Sequence, residues 1–262
     1  MGADVPSSWV LAPPLPGVAR TSQPQSPVAI DWGNPLTRSL LLSCYNFPFE
    51  AGGFGPRNAA TNVRGATVAP LAPATTALGI SPAFNGTSSG ASIGSLNLSQ
   101  YPSITVAFWL WWDTFANGNE MACEYTADVN NNAGFWVTPN HSGGTGVWVL
   151  QKRGTAFNGG TFVRPSAAAW HHMSVTFTNN TGTALASTAW LDGVPVTITQ
   201  TNSDNLGSGV LADSTLYLMS RATTSLFGAG KLLNFNLWGR LLQDQERYSL
   251  YRDSWQLFAN DY

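Results

Sequence analysis

Ile104-Thr105-Val106-Ala107-Phe108-Trp109-Leu110-Trp111-Trp112 is an apolar run broken only by Thr105. Its β-branched and aromatic residues favour a strand, and it is far too short to cross a membrane. Apolar side chains occur at both parities, so a strand here is covered on both faces, one by the core and the other by a loop or partner. The three tryptophans, Trp109, Trp111 and Trp112, read as core and sheet packing.

Short runs rich in β-branched and aromatic residues follow, separated by Gly, Asn, Pro and Asp. They predict strands over Gly134–Thr138, Val147–Lys152, Met173–Thr178, Ala186–Leu191, Val194–Thr199, Ser214–Ser220 and Leu232–Trp238. Asp192-Gly193 lies between two of them, and this dipeptide accepts the positive φ values of a two-residue hairpin turn. One segment reads as a helix, Leu241–Tyr251, with Asp244 and Glu246 early and Arg252 at the end, as the helix dipole favours.

Toward the N-terminus, Leu40–Tyr45 predicts an early strand. Between Phe49 and Gly90 the periodicity is weak, and loops with one or two edge strands are expected. Residues 1–30 hold six prolines, Pro6, Pro13, Pro14, Pro16, Pro24 and Pro27, which favour extended backbone. The same stretch carries Trp9, Val10, Leu11, Leu15 and Val18, more apolar surface than a solvated linker needs. It either folds back over its own domain or docks on a neighbouring subunit. The expected fold is therefore all-β: a two-layer antiparallel jelly-roll β-sandwich over residues 31–262, preceded by an extended Pro-rich arm over 1–30 and closed by one short C-terminal helix.

Composition narrows the function. Only 10% of the 262 residues are charged, against roughly 25% in an ordinary soluble domain, and the formal net charge is −2. The surface is consequently built from Asn, Ser, Thr, Gly and Gln, which suits a protein packed against neighbours or facing a harsh exterior. The scattered basic residues give no footprint for nucleic acid or an anionic membrane. No stretch resembles a secretory signal or a membrane span, so synthesis in a cytoplasm is expected and the sequons at Asn85, Asn97, Asn140 and Asn179 read as chance. Cys44 and Cys123 have no metal-ligand spacing; they read as buried thiols, and their pairing is left open.

Several motifs in order resemble laminin-G-like and concanavalin-A-like sandwiches. Ile104–Trp111 resembles the aromatic strand of that superfamily, Trp170-His171-His172-Met173-Ser174-Val175-Thr176-Phe177 its W-H-H-V-A-V-T-Y strand, and Ala189-Trp190-Leu191-Asp192-Gly193-Val194-Pro195-Val196 its L-Y-V-D-G hairpin. Phe227–Gly230, Leu232–Trp238, Arg240-Leu241-Leu242 and Glu246 resemble its closing strand and helix. A second likeness covers the ends: Gln23-Pro24-Gln25 with Val28–Arg38, and Leu250–Phe258, resemble the opening and close of tailed-phage members, in which the close commonly reads N-P-W-Q-L-F. Here Asp253-Ser254 replaces Asn-Pro.

What that resemblance implies is a virion component: a capsid-decoration, tail or fibre protein anchored to other subunits, and repeated as a homo-oligomer in a symmetric particle. Trp9, Leu11 and Leu15 of the arm, with Trp255, Leu257 and Phe258 of the close, are the expected assembly contacts.

The rival expectation is a glycan-binding adhesin for host surface polysaccharide, with Trp136, Asn140, His141 and Trp148 around the loop 139–146 as the candidate site; core packing explains those tryptophans equally well. A glycoside hydrolase is the third and least favoured reading. It needs paired carboxylates, and the nearest set is Glu120, Glu124 and Asp128. Adjacent His171 and His172 point to opposite faces of a strand and read as structural. No catalytic residue, metal site or cofactor is expected. For calcium, Asp128 with Asn130, Asn131 and Asn132, or Asp204 with Asn202, could supply oxygens, although polar turns are the preferred reading.

Overall fold

The computed structural model describes residues 30–44, 66–68, 72–115, 118, 120–140, 144–179, 181–207 and 209–258. Among them the strands are, in chain order, β1 (Leu40–Cys44), β2 (Ala66–Val68), β3 (Ala72–Thr76), β4 (Gly79–Asn85), β5 (Ala91–Asn97) and β6 (Ser103–Trp112). Then come β7 (Cys123–Tyr125), β8 (Gly134–Thr138), β9 (Gly146–Arg153), β10 (Ala156–Val163) and β11 (Trp170–Thr178). The last five are β12 (Ser187–Leu191), β13 (Val194–Val196), β14 (Thr199–Ser203), β15 (Asp213–Leu218) and β16 (Ala229–Trp238), before helix α1 (Asp244–Arg252).

The pairings are antiparallel and form two sheets. One runs β13-β12-β11-β6-β16-β4-β3, with β1 also paired to β16; the other runs β14-β10-β9-β8-β7-β15-β5-β2. The expected two-layer sandwich is what forms. Alternation on β6 sends Ile104, Val106, Phe108, Leu110 and Trp112 inward, where they meet Phe135 and Val137 of β8 and Val147 and Val149 of β9. Phe135 joins the layers directly, stacking on Phe177 of β11 at 4.8 Å between ring centroids.

The other parity of β6 carries Thr105, Ala107, Trp109 and Trp111. A second apolar cluster covers part of this outer face: Leu36, Trp238, Leu242, Leu250, Trp255, Leu257 and Phe258, with Trp109 and Trp170 packed against it. Hence the run is apolar at both parities, but only Trp112 of its three tryptophans belongs to the inner core. Trp109 and Trp111 remain partly exposed.

Helix α1 lies in this cover. Its first turn is fixed by Glu246, whose carboxylate accepts the Gln243 main-chain N–H at 2.7 Å and two guanidinium N–H groups of Arg240, both at 2.7 Å. The buried Arg247 donates to Leu242 O at 3.0 Å and to the hydroxyls of Thr176 and Thr188 at 2.7 and 3.1 Å. Burial lowers its pKa, opposed by Asp244 and Glu246.

The two ends of the described chain meet on the same face. Ile30 bridges Phe258, the Asp31 N–H donates to Leu257 O at 2.9 Å, and Asn34 Nδ2 donates to Gln256 O at 2.8 Å. Trp238 Nε1 adds a bond to Leu36 O at 2.7 Å. These contacts form a clasp over β16. A bulge in β16 supports it: Leu233 pairs with Trp109 and Asn236 with Ala107, so β16 carries one extra residue. Asn234 takes φ +51° there and donates Nδ2 to Ser254 O at 2.7 Å, while Ser254 Oγ accepts Trp109 Nε1 at 2.6 Å.

Three expectations need correction. Val194–Thr199 is not one strand: the chain leaves the first sheet after β13 and enters the second at β14. The helix begins at Asp244, because Leu242 is spent in the cover and Gln243 is the cap. In addition, β10 is missing from the expected strands, although Ala156–Val163 forms one with Gly159-Gly160 at its middle. A Cβ on Gly159 would lie 2.2 Å from Val149 O, so close approach of β9 is what demands glycine.

Candidate functional site

Of the residues singled out for glycan binding, the described ones, Trp136, Asn140 and Trp148, do not share one exposed surface. Trp136 is buried on the outer face of the second sheet among Met121, Val129 and Leu150, with Phe157 and Leu226 packed on them. Asn140 is also buried, its Oδ1 accepting the Glu120 N–H at 2.9 Å. Trp148 alone of the described three is partly exposed, and His141 lies outside the described residues. Loops 126–133 and 220–228 supply Val129 and Leu226 to this cluster, so no sugar can reach the Trp136 ring.

The carboxylates are engaged by protein groups. Glu120 accepts Trp112 Nε1 at 2.7 Å, toward the inner core. Glu124 pairs across β7 and β8 with Trp136 and accepts Arg221 Nε at 2.9 Å and the Val129 N–H at 2.9 Å. Burial pushes its pKa up, and the Arg221 hydrogen bond opposes that rise. The same guanidinium reaches Asp128 Oδ1 at 3.2 Å and stands 5.2 Å from the centre of the Trp136 ring. Asp128 also accepts the Asn130 N–H and Asn131 Nδ2, at 3.0 and 2.8 Å. Arg221 thus provides the cation that this acidic pair faces. Asp204 caps β10 instead, accepting the Phe157 N–H at 2.8 Å, and Asn202 pairs with Gly159 in the ladder. Among the described residues no group of three His, Cys, Asp or Glu side chains could hold a metal ion.

His171 and His172 do diverge, as their adjacency dictates. His171 Nδ1 meets Asp192 Oδ2 at 2.7 Å and its Nε2 meets Ser166 Oγ at 3.2 Å. Asp192 Oδ1 accepts the His172 N–H at 2.8 Å, so this carboxylate ties the hairpin turn to β11. His172 turns outward and is buried against Trp109, ring centres 5.2 Å apart, and its pKa falls to about 4 through burial.

The residues expected to dock on other subunits divide in two. Trp9, Leu11 and Leu15 lie outside the described residues. Trp255, Leu257 and Phe258 are buried in the chain's own outer cluster, where they complete the clasp. Cys44 and Cys123 are free buried thiols, and burial raises both pKa values.

A surface feature emerges that the sequence reading had assigned to packing. On the outer face of the first sheet, aromatic rings follow one another from α1 onto β6 and β11. Tyr248 lies 6.4 Å from Tyr251, Tyr251 lies 5.9 Å from Trp109, and Trp111 lies 6.1 Å from Trp170. Trp109 and Trp111 are two apart on β6 and share its outer face. All five are at least partly exposed, Tyr248 at 48%. Asp113 Oδ1 accepts Trp111 Nε1 at 2.9 Å and Lys231 Nζ at 3.2 Å, and the ammonium stands 4.8 Å from the Trp111 ring centre. The pair neutralises itself at the rim and fixes that ring. Spacing gives only part of this strip: Trp109 and Trp111 share parity on β6, while Trp170 comes from β11, which pairs with β6.

No protein-family model matches the sequence, and no curated protein matches it. Solved structures do match in fold. Domain 4 of AbnA, a GH43 extracellular arabinanase from Geobacillus stearothermophilus in complex with arabinotriose, aligns at TM-score 0.61 and 13% identity, over 81% of this chain and 98% of that one. The binding domain of Paraclostridial Mosquitocidal Protein 1 aligns at 0.59 and 15%, over 82% of this chain and 52% of that one. Trypanosoma rangeli sialidase aligns at 0.62 and 14%, over 86% and 34%. The chain therefore spans about half of the toxin binding region and a third of the sialidase. At these identities the shared property is the fold alone, a two-layer antiparallel β-sandwich.

Proposed function

We infer that the chain is a non-catalytic component of a tailed-bacteriophage virion, joined to other subunits through the arm that precedes Ile30 and presenting its lectin-like sandwich to host surface glycan. The clasp is the observation that carries this reading. The two stretches that resemble phage proteins, around Asp31–Arg38 and Leu250–Phe258, are hydrogen-bonded to each other although they are 222 residues apart between Asn34 and Gln256. Ile30, which follows the arm in sequence, bridges Phe258.

Beside that bridge an open groove of about 640 Å³ runs along Trp32, Pro35, Leu40, Leu41 and Tyr101. Trp32 is 55% exposed there, beside Asn34, Thr37 and Arg38. The glycan half of the reading rests on the fold shared with binding domains and on the aromatic strip. Glu124 and Asp128 share Arg221, and Glu120 is turned to Trp112 Nε1; carboxylates engaged in this way support binding over glycoside cleavage.

Antibody labelling of purified phage particles, read by electron microscopy, tests the assignment. Regular decoration of head or tail is expected. Recovery of the chain only in the particle-free fraction would contradict it.

A further inference from the structure

We propose that the strip Tyr248–Tyr251–Trp109–Trp111–Trp170 is a binding face for a linear, uncharged polysaccharide that lies extended across several rings. The inference rests on the glycan half of the functional reading and adds the site and the ligand class.

The sugar follows from what the strip offers. An aromatic face receives the C–H surface of a sugar ring, while hydroxyl groups need polar partners at the edge. Both are present: partly exposed rings, and the carboxylate of Asp113 with the ammonium of Lys231 at one end. Those two charges satisfy each other at 3.2 Å, leaving no net charge to attract an acidic or basic ligand.

The length of the ligand follows from the geometry. Ring centres lie 6.4, 5.9 and 6.1 Å apart with planes inclined at 48°, 29° and 65°, so an extended chain following the strip would meet ring faces and ring edges in turn. A single terminal sugar would use one ring and leave the others idle. The rings are also held in place before any ligand arrives. Trp109 is fixed by Ser254 and Trp111 by Asp113, and both lie on a central strand, so little side-chain freedom is lost on binding.

The test uses the full chain and an array of linear gluco-, manno-, galacto-, xylo-, arabino- and N-acetylglucosamine oligosaccharides of increasing length, followed by calorimetry on the best series. Affinity is expected to climb with length over the first few units. Trp111→Ala is expected to weaken binding of all lengths by about tenfold or more. Tyr248→Ala, at the exposed far end, is expected to weaken only the longer members and to leave folding intact. A monosaccharide that binds as well as its hexamer, or variants that bind like the wild type, would overturn the extended site while leaving glycan binding standing. Absence of binding in every series would remove both. Concentration-dependent self-association abolished by Tyr248→Ala would give the strip to a second copy instead.

Discussion

The side-chain amide of Asn34 donates to the main-chain carbonyl of Gln256 at 2.8 Å, across 222 positions of sequence. The same residue caps the 3-10 turn Pro35–Thr37, its Oδ1 accepting the Leu36 N–H at 2.9 Å. One asparagine thereby fixes the turn that follows it and the chain's closing segment.

Asn34→Ala removes both bonds. A loss of about 1–2 kcal/mol is expected from the cap and the long-range bond together. In a chain of this size that lowers Tm by roughly 2–4 °C per kcal/mol. Limited proteolysis should in addition release the segment after Asp253 faster than in the wild type, since its tie to Asn34 is gone. Unchanged Tm and unchanged cleavage would show that the clasp contributes nothing.

The bulge at Asn234 separates conformation from hydrogen bonding. Asn234→Gly keeps the positive φ but loses the bond to Ser254 O, whereas Asn234→Ala loses that bond and strains the backbone as well. Glycine should cost about 1–2 kcal/mol and alanine roughly 1 kcal/mol more in chemical denaturation. Equal losses would remove backbone strain from the account.

Arg221 pairs with a carboxylate whose side chain is fully buried. Arg221→Met leaves Glu124 buried and unpaired, at an expected cost of about 3–5 kcal/mol at neutral pH. The wild-type carboxyl already titrates above its ordinary value because burial outweighs Arg221. Its contribution is therefore greatest in acid and declines as pH rises from 4.5 through the raised native pKa. Without Arg221 the native pKa rises further. The deficit of the variant should accordingly be largest at pH 8 and shrink in acid, as denaturation curves at the two ends of the range would show. A deficit independent of pH would contradict the pairing.

His172 has the opposite sign. An imidazole that titrates near 6.5 when exposed is held at about 4 by burial against Trp109 and Tyr251. Between those values the unfolded chain binds a proton that the native chain refuses, so stability is present above pH 6.5 and drains away as pH falls toward 4. The drain amounts to about 3 kcal/mol over the interval. His172→Phe should flatten the curve there. Parallel curves for wild type and variant would refute the assignment.

Much of this architecture was legible in the sequence wherever one face of a strand had to be apolar. Alternation around Gly134–Thr138 and the Asp192-Gly193 turn lead directly to β8 and to the β12–β13 hairpin. Elements whose register depends on distant partners were not legible. The glycines of β10 are required by the approach of Val149 O and by Thr199 O, and nothing local distinguishes them from turn glycines. The site shows the same division. Trp136, Trp148 and Asn140 cluster in sequence beside a polar loop, yet the loops that bury Trp136 arrive from residues 121–129 and 226. The aromatic strip was visible only in part, because Trp109 and Trp111 sit in a run that also fills the inner core. Tyr248 and Tyr251 reach them only through the docking of α1.

A crystal structure of the full chain with a bound linear oligosaccharide tests the central claim most directly. Sugar units stacked along Trp111, Trp109 and Tyr251, with hydroxyl groups at Asp113 and Lys231, are the expected result. Sugar bound at Trp148 or along Trp32 and Tyr101, with the strip bare, would contradict it.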